Sequence, residues 1–388
     1  MRNARKVVTP AVGLRDVAKV AGVSTATVSR ATNNPELVSP VLRQRISDVV
    51  QRLGWVPHGA ARALATRRSG AIGAVFPTLS HGDFARAAEG LQGELSRLGY
   101  TLLLGCSQYD LEQEYRLVHQ FVERGVDALA LVGLTHKPEL AELLRRHGVP
   151  FVNTFYYDDA HKVDCIGPDN RKAMRSLTNH LIAQGHRRFG VIAQSMQNND
   201  RATARLQGIR DALAEAGLVI RPNHFRSGRW SISEGRTLMG EILARKPWPT
   251  AIICGNAFLA VGAVLEAIDR GVRLPDELSV VGYDDVEIMQ ELPVPITTLR
   301  VRSDEVGRRT AAYLVAAIEG KRLDLGGECE VEIVERASSG PAPGRRLKGQ
   351  GRCPSREGAR RTWTPQRAER PAGPILLGAS RHPRRRTK

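Results

Sequence analysis

The chain has 388 residues, 42% hydrophobic and only 5% aromatic, with a formal charge of +17. That length is too great for one small core and implies two or three domains. The charge is uneven: residues 1–69 hold 12 Lys/Arg against 3 Asp/Glu, residues 341–388 hold 14 against 2, and the stretch between is acidic by 4. A basic first segment suits phosphate contact, because Lys and Arg displace the counterions of a nucleic acid. No stretch approaches the roughly 20 apolar residues of a membrane span. The opening MRNARKVVTPAVG lacks the apolar run of a signal peptide, so a soluble, cytoplasmic protein is expected. Cys106, Cys165, Cys254, Cys329 and Cys353 are scattered, without CxxC or a Cys/His zinc spacing. Neither a disulfide framework nor a metal site is expected, and no cofactor.

The first elements lie in LRDVAKVAGVSTATVSRATN, residues 14–33. Val17, Ala18 and Val20 are read as one apolar face of a short helix. Gly22 sits at a turn, where a residue without a Cβ takes a left-handed conformation cheaply. Ser24 stands to cap a second helix, about Thr25 to Ala31. That helix carries Thr25, Ala26, Thr27, Ser29 and Arg30, with Val28 facing inward. Small polar side chains and one Arg at a helix N-terminus suit the DNA major groove. A plain solvated helical hairpin has the same local pattern. Ser39-Pro40 is a cap followed by proline at the first helical position. Leu42, Ile46, Val49, Val50 and Leu53 then recur at helical spacing, and Gly54 ends the helix. After Trp55-Val56-Pro57 comes HGAARALATRRSG, too short to hold a helix alone. AIGAVFP follows as a first strand.

With these three separated motifs on the page, the chain resembles the LacI/GalR family of bacterial transcription regulators. LRDVAKVAGVSTATVSRATNNPELVSP, LGWVPHGAARALATRRS and IGAVFP carry the likeness in order and spacing, and it extends over about residues 14–340. The resemblance implies a helix-turn-helix headpiece at 1–57, a hinge helix and linker at 58–69, and a two-lobed, periplasmic-binding-protein-like core at 70–340. The fold class is therefore α/β with an all-α N-terminal domain. The partners it implies are a pseudo-palindromic operator, a second copy in a homodimer, and a small sugar or sugar-acid effector that controls operator affinity.

From residue 70 the residues themselves alternate short apolar runs with amphipathic ones. Strands are expected at Ala71–Phe76, Tyr100–Gly105, Asp127–Val132, Pro150–Asn153, Arg188–Ala193, Thr250–Cys254 and Ser279–Tyr283. Helices are expected at Phe84–Leu98, Leu111–Arg124, Pro138–His147, Lys172–Gln184, Thr203–Ala216, Ile232–Ala244 and Leu259–Arg270. Gly99, Gly125, Gly148, Gly185, Gly217 and Gly271 follow the helices as left-handed caps. Such alternation argues for parallel sheets covered by helices on both faces. Ligands of such sheets bind beyond the carboxyl ends of the strands.

Candidate effector contacts sit at those ends. Ser80 and Phe84 follow the first strand, Arg205 opens a helix after Arg188–Ala193, Asn256 follows Thr250–Cys254, and Asp284 follows SVVGY. An Arg forks onto carboxylates or vicinal hydroxyls, Asn and Asp exchange hydrogen bonds with hydroxyls, and an aromatic ring covers a sugar face. Each alone could be a loop polar group or helix cap; the resemblance aligns Arg205, Asn256 and Asp284 with the family's sugar contacts. Ala257 stands where the family often has Asp, which removes a hydroxyl acceptor or changes the ligand's charge preference. Tyr156, with Tyr157 and Asp158, adds a further pocket candidate. VPFVNTF and the spacing around DRATARLQGIRDAL are similar to gluconate-type members, and a pocket with Arg205 and fewer acids suits a sugar acid. Neutral sugars and nucleosides stay open.

By the same resemblance, Thr25, Ala26 and Arg30 meet base edges, and Ser24, Thr27, Ser29 and Asn33 mostly meet phosphates. Arg30 is the candidate for a guanine O6/N7 contact. Leu64 stands where relatives insert a leucine into the minor groove, and His58 where many have Asn. Residues 341–388, rich in Pro, Gly and Arg, are expected to be a disordered basic tail. Either non-specific DNA attachment or an unselected extension fits them. A solute-binding sugar sensor without a regulatory role is the main alternative, but it has no use for residues 14–66. An enzyme is not expected: the chain has no G-x-S-x-G, P-loop, post-strand G-x-G-x-x-G or metal spacing.

Overall fold

The computed structural model describes residues 12–56, 68–158, 165–321 and 327–344, apart from the Asn33 side chain. The expected hinge with His58 and Leu64, and all of the expected tail at 341–388 beyond residue 344, lie outside the described residues. Residues 12–56 form α1 (Leu14–Ala21), α2 (Thr25–Asn33) and α3 (Pro40–Leu53). Their shared core is Val17, Ala18, Ala21, Val28, Ile46, Val49 and Trp55. Gly22 and Gly54 adopt φ of 64° and 61° and end α1 and α3 in left-handed caps. The Ser24 hydroxyl accepts the Thr27 N–H at 3.1 Å, the expected cap of α2. Two local expectations are corrected. Val20 is 45% exposed, and Ala21 takes the inward position, because a helix buries positions i, i+1 and i+4 together. Ser39 occupies the cap position of α3 without a side-chain bond.

The remainder is two parallel sheets, each flanked by helices. Lobe 1 has strand order β11-β5-β4-β3-β1-β2 and lobe 2 has β12-β10-β9-β8-β6-β7. In lobe 1, β1 is Ala71–Phe76, β2 Thr101–Cys106, β3 Ala128–Val132, β4 Phe151–Thr154, β5 Cys165–Gly167 and β11 Gly327–Glu328. In lobe 2, β6 is Phe189–Gln194, β7 Phe225–Gly228, β8 Ala251–Cys254, β9 Ser279–Tyr283, β10 Thr297–Val301 and β12 Val331–Val334. All pairings are parallel except β10 with β12. The apolar runs of β3, β8 and β9 are buried along their whole length, as expected of strands covered on both faces.

The helices of the two lobes are α4 (Gly82–Arg97), α5 (Leu111–Glu123), α6 (Pro138–His147), α7 (Asn170–Ala183), α8 (Asp200–Glu215), α9 (Ile232–Leu243), α10 (Ala257–Asp269), α11 (Ile288–Glu291) and α12 (Ser303–Ile318). Four of them begin two or three residues earlier than their apolar pattern predicts. Asp169, Asn199 and Asn256 cap the first turns of α7, α8 and α10 with side-chain bonds, and His81 precedes α4. First-turn residues are polar or small, so apolar spacing does not register them. Arg205 consequently lies on the second turn of α8 and does not open it. The chain crosses between lobes after β5, after β10 and after β11. The last helix, α12, returns from lobe 2 to pack on α4 of lobe 1. A Cβ on Gly307 would stand 2.1 Å from the Ala87 carbonyl oxygen, so the two helices meet backbone to backbone. The chain is still docked at Ala342, whose N–H donates to the Gln184 carbonyl at 3.0 Å.

Candidate functional site

Two surfaces collect the chemistry-bearing residues. On α2, Val28 turns inward, and Ser24, Thr25, Ala26 and Arg30 are exposed while Thr27 and Ser29 are half-buried. The Ser24 and Thr27 hydroxyls are 2.8 Å apart. Exposed polar side chains at the N-terminal end of the second helix are the geometry that enters a major groove.

The second surface is the cleft between the lobes. Five non-glycine residues among those described have positive φ: Gln108 (55°), Tyr109 (62°), Phe155 (60°), Asn198 (51°) and Asp284 (70°). All five line this cleft, in loops that follow β2, β4, β6 and β9. Left-handed backbone costs a non-glycine residue free energy, so its concentration in one place marks a functional surface.

Arg205 occupies the centre and is 8% exposed. Its Nη1 donates to Asn170 Oδ1 at 2.9 Å and its Nη2 to Gln194 Oε1 at 3.4 Å. The guanidinium lies 4.5 Å above the Tyr283 ring, a favourable position for a desolvated cation. The Tyr283 hydroxyl donates to the same Asn170 oxygen at 3.1 Å. Asn170 is itself fixed by donating to the Phe155 and Pro168 carbonyls. Gln194 donates to the Tyr109 hydroxyl at 3.0 Å across the cleft.

Three buried atoms around this network have no hydrogen-bond partner among the described residues: Arg205 Nε, Asp83 Oδ2 and His81 Nε2. Unsatisfied buried polar atoms each cost about 1–3 kcal/mol, and a ligand removes that cost. Burial, aided by Arg205 and Arg201, drives the His81 imidazole down to about 4 against the pull of Asp83, so the ring is neutral. Trp230 and Phe258 stand edge-on to His81, with ring centroids at 4.8 and 5.3 Å. Burial first, and the neighbouring Asp83 charge second, raise the Asp284 carboxyl far above the carboxylate range. Asp83 is in turn paired with Arg86, whose guanidinium also reaches the Asp285 carbonyl of lobe 2 at 3.1 Å.

The cleft brings together Phe84, Arg205 and Asp284 from the sequence candidates, and Tyr156, Tyr157 and Asp158 line its adjoining mouth. Asn256 stands one step behind the wall. Its Oδ1 accepts the Leu259 N–H at 2.9 Å and its Nδ2 donates to Gln194 at 3.3 Å. Ser80 is exposed on the loop before α4 and does not line the cavity. Sequence reasoning missed His81, Asp83, Tyr109, Asn170, Gln194, Asn199 and Arg201 in the lining. The usable signal was positional: Gln194 is the last residue of β6, and the others lie in loops or first helical turns that follow strands.

A helix-turn-helix unit in one chain with a two-lobed parallel-sheet domain, and a strained polar cleft between the lobes, defines a DNA-binding regulator with a small-molecule site. Residues 13–58 match the family described as "Bacterial regulatory proteins, lacI family". Residues 69–330 match "Periplasmic binding proteins and sugar binding domain of LacI family". The chain belongs to the LacI family. It is 28% identical over 331 residues to the HTH-type transcriptional repressor CytR of Escherichia coli (strain K12), covering 85% of this chain and 97% of that one. It is 31% identical to the HTH-type transcriptional regulator GntR of Pseudomonas aeruginosa, covering 81% and 93%. Among solved structures, the lac repressor dimer bound to operator and the anti-inducer ONPF superposes with a TM-score of 0.76 at 25% identity, covering 84% and 99%.

Proposed function

We propose that this protein is a homodimeric, sequence-specific transcriptional repressor whose operator affinity is set by a sugar acid of the gluconate class bound in the interlobe cleft. The observation that carries the effector class is Arg205. It is a buried guanidinium that donates to the amide oxygens of Asn170 and Gln194 and lies against Tyr283, and its Nε is left open. A ligand carboxylate satisfies that charge, and ligand hydroxyls donate to Asp83 Oδ2 and meet the neutral His81 ring. Phe84 and Phe155, edge to face at 4.8 Å, supply the apolar wall.

On the DNA side, Arg30, Thr25 and Ala26 read base edges, and Ser24, Thr27, Ser29 and Asn33 hold phosphates. His58 and Leu64 belong to the hinge that completes the contact. The protein works in the cytoplasm. Effector binding changes the angle between the lobes and with it the spacing of the two headpieces, a coupling of typically about 1–3 kcal/mol.

Fluorescence anisotropy on a duplex from the protein's own promoter, against a scrambled duplex, tests this reading with gluconate, glucose and a nucleoside added in turn. The expected result is sequence-preferring binding shifted by gluconate alone. A shift by the nucleoside or glucose reassigns the effector class, and equal salt-sensitive binding to both duplexes removes the regulator reading.

A further inference from the structure

Beside the polar centre of the cleft, and in addition to the bonds of Gln194 and Asn198 to Tyr109, lobe 2 grips one turn of lobe 1. The Asp200 carboxylate, at the start of α8, accepts the backbone N–H groups of Leu134 and of Thr135, the latter at 3.1 Å. Arg201 completes the grip: its Nη1 donates to the Val132 carbonyl at 3.1 Å while pairing with Asp200 at 2.8 Å. The turn begins at Gly133, φ 82°, where any Cβ would overlap the Asp200 and Arg201 side chains. The shape of this turn therefore decides whether the lobes stay joined at that edge.

His136 holds the turn from beneath. Its Nδ1 is 2.8 Å from a Glu114 carboxylate oxygen on α5, and its Nε2 is 3.0 Å from the Gly133 carbonyl oxygen and 3.1 Å from Asn153 Oδ1 on β4. A carboxylate and a carbonyl can only accept. Both ring nitrogens must then carry hydrogen, which only the imidazolium allows. We propose that His136 is a positioning residue, a buried imidazolium that shapes the Gly133–Thr135 turn for Asp200 and so makes closure of the cleft depend on pH. The inference rests on the cleft being the effector site.

Burial opposes the charge on His136, but the Glu114 carboxylate, Asn153 and the Gly133 carbonyl outweigh it and hold the proton above the ordinary imidazole range. The charged groups around it are Glu114 from α5, the Asp200–Arg201 pair from α8, and the Lys137–Glu112 pair toward solvent. The sign follows from the raised value. The contribution is complete below the ordinary imidazole pKa and is lost as pH rises through the higher native one. Glu114 retains the remaining proton through Nδ1. Nε2 is then left with a lone pair facing the Gly133 carbonyl oxygen. Asn153 can turn its amide to donate, but the main-chain carbonyl cannot, so the turn shifts and Asp200 loses its two N–H donors.

Hydrogen exchange of the full-length protein reads those donors directly. After correction for intrinsic exchange, protection of the Leu134 and Thr135 amides is expected to fall about tenfold, the equivalent of one hydrogen bond, as pH rises through the His136 titration. The titration itself is followed by ring nitrogen chemical shifts. In Glu114→Gln the step moves to lower pH, and in His136→Gln it disappears. A ring that is neutral at pH 6.5, constant protection across the titration, or a Glu114→Gln step that does not move each overturns the proposal. The Glu114→Gln shift decides the matter if His136→Gln does not fold. A step that persists while no sugar acid binds leaves this inference standing and removes the effector assignment instead.

Discussion

The recognition helix and the interlobe cleft place polar side chains in opposite physical settings. On α2 the groups for DNA stand in water, where an unpaired hydroxyl or guanidinium costs little, and the helix is held from behind by Val28 and capped by Ser24. In the cleft the central polar groups, Arg205, Asn170, Gln194, Asp83 and His81, are buried, and Arg205 Nε, Asp83 Oδ2 and His81 Nε2 have no hydrogen-bond partner among the described residues. An exposed site can be laid along one helix by local spacing alone. A buried site needs residues from many strand ends, strained loops and mutual hydrogen bonds. Changes on α2 should therefore alter partner choice and leave stability alone, whereas changes in the cleft should alter both.

The largest expected effect that tests this contrast is Arg205→Ala. Removing a buried, hydrogen-bonded charge costs about 2–5 kcal/mol of effector binding. Calorimetry should show no measurable heat with gluconate, while effector-free operator binding persists. Next is the acid response of His81, whose proton affinity is lowered by burial. Stability is full above the ordinary value of 6.5 and falls as pH drops toward about 4. The loss is roughly 3 kcal/mol, at 1.36 kcal/mol per pKa unit. Thermal melts from pH 7 to 4 should show it, and His81→Phe should flatten the curve.

Arg30→Ala follows, with about 1–3 kcal/mol of operator affinity lost and preference relaxed at one base pair per half-site. Its melting temperature should match the parent, which is the contrast with Arg205. A uniform loss across all duplexes would place Arg30 on phosphate alone. The smallest is Asp284→Asn. Burial and the Asp83 charge disfavour ionisation of Asp284, so the amide should stabilise the protein by about 1 kcal/mol at neutral pH. Differential scanning calorimetry reads that gain, and titration reads the accompanying loss of effector affinity.

The same division explains what was legible in the sequence. Gly22, Ser24 and Gly54 mark the headpiece by local chemistry, and the glycine-punctuated strands and helices from Ala71 to Tyr283 follow a simple alternation. The last helix, α12, escaped because its buried stripe includes Ser303, Gly307 and Thr310. Small and polar residues let it approach α4 closely but dilute the apolar period. Strands β5, β7 and β11 are short or only partly apolar. In the cleft, Arg205 and Asp284 were named by the family resemblance, which singled them out from other polar residues beyond the strand ends. Asn170, Gln194 and Asp83 were not, since their role exists only once the two sheets face each other.

The three crossings of the chain between lobes bear on how the protein is made. Neither sheet has all its strands until the C-terminal region is synthesised: lobe 1 waits for α12 and β11, and lobe 2 for β12 at Val331–Val334. Contacts this distant in sequence slow folding and favour partly assembled intermediates. While the ribosome is still adding these segments, the headpiece is already a finished three-helix unit. The nascent chain therefore acquires its DNA-reading surface well before it can possess the cleft that governs it.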